Sequence, residues 1–271
     1  RTVTKYIKSS AMNKAIYSPR CRENGTIIDD LIVYKLEQNK IMICVNASNI
    51  KKDFDWMSSQ VKRFDCTLSD RSNDFSLLAI QGPQSVATLK EIELGFTLED
   101  IEYYSIQVGI PGETPVLIAR TGYTGEDGFE IFGPHEYIQS LWSKLMDAGV
   151  TPCGLGARDV LRLEVCYPLY GHELNDNVTP LDCGLKWTVK MDKEDFIGKK
   201  VLSEYQPESR LLKIVLDKGI PREGYKVENA HGESLGVVTS GTMSVALNKG
   251  IAIARVNKKL YSSEDKIVID I

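Results

Sequence analysis

Apolar and polar positions alternate irregularly along this chain, but they group into short runs separated by glycine, proline and asparagine, the signature of a protein built mostly of strands with a few helices. A turn at Glu23-Asn24-Gly25 precedes the run Thr26 to Tyr34, which reads as a strand. A second turn at Glu37 to Lys40 leads to Ile41–Val45, its hairpin partner. Polar Asn46, Ser48 and Asn49 then cap a helix whose apolar positions are Ile50, Phe54, Met57 and Val61. A strand over Phe75–Ile80 ends in Gln81-Gly82-Pro83, and a helix carrying Val86, Leu89 and Ile92 follows. Two more apolar runs, Val116 to Ala119 and Phe129 to Phe132, enclose a glycine-rich loop, and Tyr137, Leu141, Trp142, Leu145 and Met146 form the face of a helix closed by Gly149. Pro152 to Asp159 opens a further helix running to Cys166, with Arg158 and Arg162 four apart on it. Gly184–Val189 reads as a strand, and Asp195 to Gly198 starts a short helix. From Leu211 the pattern is β throughout: Leu211–Leu216, Tyr225–Glu228, Leu235–Thr239, Ile251–Val256 and Ile267–Ile271, a spacing that suggests a small barrel or sandwich with a boundary near Pro207. The first residues, with Val3, Tyr6 and Ile7 on one face, read as part of an amphipathic helix.

Composition narrows the function classes. At 271 residues the chain has room for two or three domains, and 42% hydrophobic with 26% charged residues describes an ordinary globular protein. A net charge of −4 carries no basic bias, so nucleic acid is not expected as the main partner. No stretch has the apolar length of a membrane span. Six cysteines without a CxxC pair suit reduced thiols, and three histidines, none at metal-ligand spacing, speak against a zinc site. The start of the chain shows neither a signal-peptide core nor transit-peptide character.

Two features point to chemistry. Gly122, Gly125 and Gly128, at a spacing of three inside Arg120-Thr-Gly-Tyr-Thr-Gly-Glu-Asp-Gly-Phe-Glu130, make a loop that can take positive φ and approach a ligand closely. It is no dinucleotide fingerprint: a strand rather than a helix follows it, and Glu126 and Asp127 would repel phosphate. A hairpin with a solvated acidic tip is the plainer reading of the same pattern. The second feature is Asp29-Asp30 within an apolar strand, where successive side chains take opposite faces and, unless a bulge intervenes, at least one carboxylate turns toward the more buried side. A hydrated edge strand would explain it as well. Arg158, after two glycines at a helix entrance, could clamp an anion or serve as an ion-pair partner, and His172 reads as a hydrogen-bonded structural residue.

The motifs Asn24-Gly-Thr-Ile-Ile-Asp-Asp-Leu-Ile-Val, Ala79-Ile-Gln-Gly-Pro, Arg120 to Glu130, Cys153-Gly-Leu-Gly-Ala-Arg-Asp, Leu163-Glu, Leu169-Tyr-Gly and Val238-Thr-Ser-Gly occur in order from end to end. Together they resemble the aminomethyltransferase (T protein) family of the glycine cleavage system. The resemblance implies an α+β, three-domain cloverleaf around a central folate cavity, with a β-rich, barrel-like C-terminal domain. Its domains would be 1–70 completed by 173–207, then 71–172, then 208–271. It implies tetrahydrofolate as acceptor substrate, no metal, and the lipoylated H protein as partner. Asp30 matches the family's catalytic aspartate and Glu130 the residue that recognises the pterin. Tyr17, Asn46, Tyr103 and Tyr123 match positions lining the folate pocket, and Arg158 a polar residue of the same cavity.

The family's second glycine is replaced by Thr26, its loop near Asn13 to Ala15 is shortened, and its N-terminal portion is missing ahead of Arg1. The expected compartment is the bacterial cytoplasm, or the mitochondrial matrix in a eukaryote. Two relatives of the same fold remain as alternatives: a folate-dependent demethylase of a small methylated compound, and a non-catalytic folate-binding protein. The latter carry a cysteine in the glycine signature, which Gly122-Tyr-Thr-Gly125 lacks.

Overall fold

A computed structural model of the chain describes residues 1–92, 94, 96–110, 114–263 and 266–271. Three antiparallel sheets together with α-helices make an α+β structure. Strands β1 (Ala15–Cys21), β2 (Ile27–Glu37) and β3 (Lys40–Cys44) form the first sheet in that order, and α1 (Ile50–Val61) follows. The second sheet has the order β4-β7-β6-β5, from β4 (Ser76–Gln81), β5 (Ile106–Ile110), β6 (Val116–Ala119) and β7 (Gly128–Gly133). Helix α2 (Ser85–Glu91) follows β4, and α3 (His135–Asp147) follows β7. After α4 (Leu155–Glu164) and α5 (Lys199–Glu204) come β8 (Ser209–Val215), β9 (Lys226–Glu228), β10 (Ser234–Ser244), β11 (Lys249–Asn257) and β12 (Val268–Ile269), a five-stranded sheet of order β12-β9-β10-β11-β8.

The chain divides into two compact units. One comprises Tyr6–Tyr17 with Leu31–Gly154, the other Arg1–Lys5, Ser18–Asp30 and Leu155–Ile271.

In the first unit, the period of two along β4, β6 and β7 gives their sheet two apolar faces. Leu78, Ile80, Val116, Ile118, Phe129 and Ile131 meet Leu89 of α2 and Ile138, Leu141 and Leu145 of α3. Leu117, Ala119 and Phe132 form a second cluster with Ile106, Ala15 and Tyr34. Each fully buried aliphatic or aromatic side chain here contributes about 1.5–3 kcal/mol of transfer free energy. The sheet is thus fixed from both sides, which holds the β6–β7 loop at its end. On α3 the buried face runs through Ile138, while Trp142, expected in the core, is 43% exposed.

In the second unit, β10 carries a bulge: Val238 pairs with Ala254 and Ser240 with Ile253, so Thr239 is the extra residue. The bulge leaves Thr239 and Ser240 both buried, and both bond the buried pair Arg162 and Glu173. Glu173, fully buried, accepts from Arg162 Nη1 at 3.0 Å, from the Leu169 amide at 3.1 Å and from the Thr239 hydroxyl at 2.5 Å. Asp182 is a second buried hub, accepting from the amide and hydroxyl of Thr179, the Tyr205 hydroxyl, and the amides of Glu208 and Ser209. Burial, with the bond to Asp182 next, pushes the Tyr205 phenol up to about 12. His172 Nδ1 lies 3.1 Å from the Thr239 carbonyl, in line with its reading as a structural residue.

Several sequence expectations need correction. No helix forms at the N-terminus, because its polar groups are taken up by distant partners. The Thr4 amide donates to the Ser18 hydroxyl, the Thr4 hydroxyl to the Thr188 carbonyl, and Lys193 Nζ to the carbonyls of Val3 and Lys5. Gly184 takes φ +71, which interrupts the strand expected over Gly184–Val189, and a 3-10 turn at Lys186–Thr188 stands there instead. Helix α1 buries Asp53 and Met57, while Ile50, Phe54 and Val61 are only half-buried. Its N-cap, Asn49, makes no side-chain capping bond. The six cysteines, by contrast, are all free thiols, as their spacing suggests.

Candidate functional site

The β6–β7 loop is folded around one side chain, Gln81. Alternate residues of β4 share a face, so Ala79 and Gln81 lie on the side of Glu130 and Gly128, the residues paired with them on β7. From there the Gln81 amide nitrogen donates to the carbonyls of Thr121, at 3.1 Å, and Phe129, at 3.3 Å. Its carbonyl oxygen accepts from the Thr124 hydroxyl at 3.2 Å. Both carbonyls can only accept, which fixes the orientation of the carboxamide.

The glycines answer to this arrangement. A Cβ on Gly122 would collide with Gln81 Oε1, and one on Gly128 would stand 2.5 Å from the Ile80 carbonyl and 2.7 Å from Gln81 Nε2. Of the three, Gly125 alone takes positive φ, at +80. Gly122 and Gly128 therefore make room for a glutamine, where the spacing had suggested room for a ligand.

The acidic tip is also only half as expected. Glu126 is exposed, but Asp127 takes both ends of the Arg120 guanidinium, Nε at 2.9 Å and Nη2 at 2.6 Å. These bonds hold the Asp127 carboxyl below the usual carboxylate range. Arg120 also donates to the Ile101 carbonyl, so the pair ties the loop to the segment before β5. The Asp127 carbonyl receives the Gly82 amide at 2.8 Å and the Ser85 hydroxyl at 3.3 Å.

Glu130 is half-buried on β7 with alanines, Ala79 and Ala119, as cross-strand neighbours. The Thr121 hydroxyl donates to its Oε2 at 2.5 Å, and the hydroxyl of fully buried Tyr34 lies 3.4 Å from Thr121 Oγ1. Because Thr121 gives its proton to a carboxylate, Tyr34 is the donor in the longer contact. Burial first, and the Glu130 charge second, raise the Tyr34 phenol well above its ordinary value, so it stays a donor. Tyr123 is half-buried in the same loop. Tyr103, 62% exposed, packs edge-on against Tyr104 with ring centroids 5.0 Å apart. The Tyr104 amide donates to the Arg120 carbonyl, and the Tyr104 carbonyl accepts from Ala15, two residues before half-buried Tyr17. Asn46 is half-buried between β3 and α1.

Asp30 and Arg158 belong to the other unit. On β2, Asp29 is fully buried and Asp30 half-buried, so the strand does turn a carboxylate inward. The turn before it tolerates Thr26: Gly25 supplies φ +83, and the Thr26 amide and hydroxyl both donate to Asn24 Oδ1, at 3.1 and 2.9 Å. Arg158 and Arg162, four apart on α4, have opposite environments. Arg158 is exposed, whereas Arg162 is buried against Glu173. Among the described residues no group of three or more His, Cys, Asp or Glu side chains is placed to hold a metal ion.

Residues 1–193 match the family model of the GCVT N-terminal domain, and 210–271 that of the glycine cleavage T-protein C-terminal barrel domain. The chain belongs to the glycine cleavage T-protein family. It is 44% identical over 274 residues to the aminomethyltransferase of Thermosipho melanesiensis, covering 99% of this chain and 74% of that protein. The aminomethyltransferase of Thermotoga maritima is 44% identical over 266 residues, covering 95% and 72%. In structure the chain is similar to the crystallised glycine cleavage system aminomethyltransferase T of Bartonella henselae, with a TM-score of 0.91, 29% identity, and coverage of 100% of this chain and 75% of that one. The resemblance carried by the motifs thus holds over nearly the whole length.

Gln81, Thr121 and Tyr34 were not singled out as site residues from sequence. The signal for Gln81 was present: a polar residue ending an apolar strand, before Gly82-Pro83, with two glycines elsewhere that nothing else required.

Proposed function

We propose that this chain transfers the methylene carbon of an aminomethyl-lipoyl group, carried on the H protein, to tetrahydrofolate with release of ammonia. The activity is that of a glycine cleavage system aminomethyltransferase, and it depends on tetrahydrofolate. The observation that carries the reading is the match of one family across 193 of 271 residues, joined by relatives at 44% identity.

In the reaction, the carbon's bonds to sulfur and nitrogen break and two bonds to folate nitrogens form. The two protons of the folate N–H groups end on the lipoyl thiol and on ammonia. Asp30 is assigned to the folate nitrogens, where a carboxylate takes up a proton as the C–N bond forms and offsets positive charge on the moving carbon. In support, Asp30 sits half-buried in an apolar strand beside fully buried Asp29, where water screens its charge poorly.

Glu130 is assigned to the pterin, whose adjacent N–H donors suit a two-oxygen acceptor. The Thr121 bond that fixes Oε2, and the small alanines flanking the carboxylate, support that role. Tyr17, Asn46, Tyr103 and Tyr123 are assigned to the folate-lining surface and Arg158 to a polar position beside the same ligand. The three-domain cloverleaf and the bacterial cytoplasm belong to the same proposal, on the strength of the family and its bacterial members.

A coupled assay with aminomethylated lipoyl carrier and tetrahydrofolate tests the activity. Formation of ammonia and methylenetetrahydrofolate in equal amounts supports it, and turnover of a small methylated compound in place of the carrier would replace it by demethylation. For the pterin role, Glu130→Gln exchanges one acceptor for a donor and is expected to weaken folate binding by about 1–3 kcal/mol. Titration of folate into this variant with unchanged affinity would remove Glu130 from the site.

A further inference from the structure

The Ala79-Ile-Gln-Gly-Pro motif has no part in the chemistry above, yet its glutamine is the side chain around which the loop is folded. We infer that Gln81 is a positioning residue for folate: its carboxamide sets the placement of Glu130 and Tyr123, and so the affinity for the pterin ring. This inference rests on the assignment of Glu130 to the pterin.

The geometry argues for it in three steps. First, one amide nitrogen spans the loop, bonding the carbonyl of Thr121 on the incoming side and of Phe129 on the outgoing side. Second, these two residues govern Glu130. Phe129 is its chain neighbour, and Thr121 donates its hydroxyl to Glu130 Oε2 at 2.5 Å. A shift of either carbonyl therefore moves the carboxylate or its donor. Third, Gln81 Oε1 takes the hydroxyl of Thr124, the residue after Tyr123. One rigid, planar group thus touches the loop on both sides of Tyr123 and next to Glu130.

The glycines sharpen the point. Gly122 and Gly128 lie where any Cβ would strike the Gln81 side chain or the strand it stands on. If their purpose were backbone freedom, a positive φ would be expected, and neither has one. Their lack of a side chain serves the close packing of the carboxamide.

Gln81 does not touch the reacting atoms under this reading, so its loss should appear in folate binding before it appears in chemistry. Gln81→Leu keeps much of the bulk but removes all three bonds. It is expected to raise the Kd and KM for tetrahydrofolate about tenfold or more while leaving kcat at saturating folate and KM for the aminomethyl-lipoyl carrier near those of the unmodified protein. Gly122→Ala should reproduce this defect by displacing the carboxamide. In a Gln81→Ala background, which empties the space, the same Gly122→Ala change should cost nothing further.

Folate affinity unchanged in Gln81→Leu would overturn the inference. So would a fall in kcat with a rise in both KM values together, accompanied by a lowered Tm, which marks a merely structural residue. If Gln81→Leu does not fold, Thr124→Val, which removes the bond to Gln81 together with the one the same hydroxyl accepts from the Glu126 amide and leaves the strands alone, decides between the same outcomes. Glu130→Gln measured alongside separates the two readings: unchanged folate affinity there sinks the pterin assignment, whereas weakened binding there with normal binding in Gln81→Leu sinks the inference alone.

Discussion

Replacing Asp30 with asparagine is expected to lower kcat by about 10²–10⁴-fold, the range associated with a positioned general acid or base. Asparagine has nearly the shape of aspartate, so the strand and its hairpin partner should stand and folate should still bind. What is lost is the charge, which under the proposed assignment accepts the proton and balances the cationic carbon. The half-buried setting of Asp30 makes this loss severe, because water cannot fully take over either task. The measurement is steady-state formation of methylenetetrahydrofolate with folate affinity determined by titration. Turnover equal to that of the unmodified protein would exclude the catalytic role. A parallel loss of folate affinity would assign Asp30 to binding.

The second large effect concerns stability. Glu173→Gln should lower the free energy of unfolding by about 3–5 kcal/mol, the cost of breaking a buried ion pair from one side. Glu173 and Arg162 have side-chain exposures of 0% and 1%, so neither has water to fall back on. The amide cannot supply the negative charge, and its nitrogen would face donors: Arg162, the Leu169 amide or the Thr239 hydroxyl. Asp159 remains beside Arg162 at 2.7 Å, but it is 48% exposed and compensates only in part. Denaturant titration reads the effect as a shift in midpoint at constant slope. A loss below about 1 kcal/mol would mean that Asp159, Ser240 and the Tyr167 carbonyl satisfy Arg162 without Glu173.

How far the sequence discloses this protein differs between its levels. Hairpins and strands with clear turn residues were legible: the Glu37 to Lys40 turn, the five C-terminal strands and the Gly149 helix stop all stand in the structure. These are local signals, carried by residues that pay no regard to distant partners. The N-terminal segment departs from its pattern because tertiary bonds decide it, and Gly184–Val189 because Gly184 takes a positive φ that a strand does not accommodate. The carbonyls of Val3 and Lys5 are answered by Lys193, whose position no local pattern reveals.

At the candidate site the difference is finer. A glycine spacing tells that side chains are unwelcome, but not what takes the space. The partner, Gln81, lies forty-one residues upstream of Gly122 and reaches it only through the pairing of β4 with β7. Likewise, Arg158 and Arg162 have the same chemistry and helical spacing in sequence, and burial alone separates them. Asp29 and Asp30 were the opposite case. A strand sends successive neighbours to opposite faces, so a buried carboxylate is one of two readings open from the sequence, beside a hydrated edge, and the structure decides for it at Asp29.

The Asp182 hub bears on how the protein can be divided. The two family models leave residues 194–209 between them, and a designer of fragments would cut there to obtain the C-terminal region by itself. Yet Tyr205, Glu208 and Ser209, from that interval, all donate to a carboxylate that lies before it, within the first model. A cut would strip the buried Asp182 of three donors and leave β8 without its anchor at the start. The interval is a clasp rather than a tether, and the modules defined by sequence are not pieces that can be traded independently.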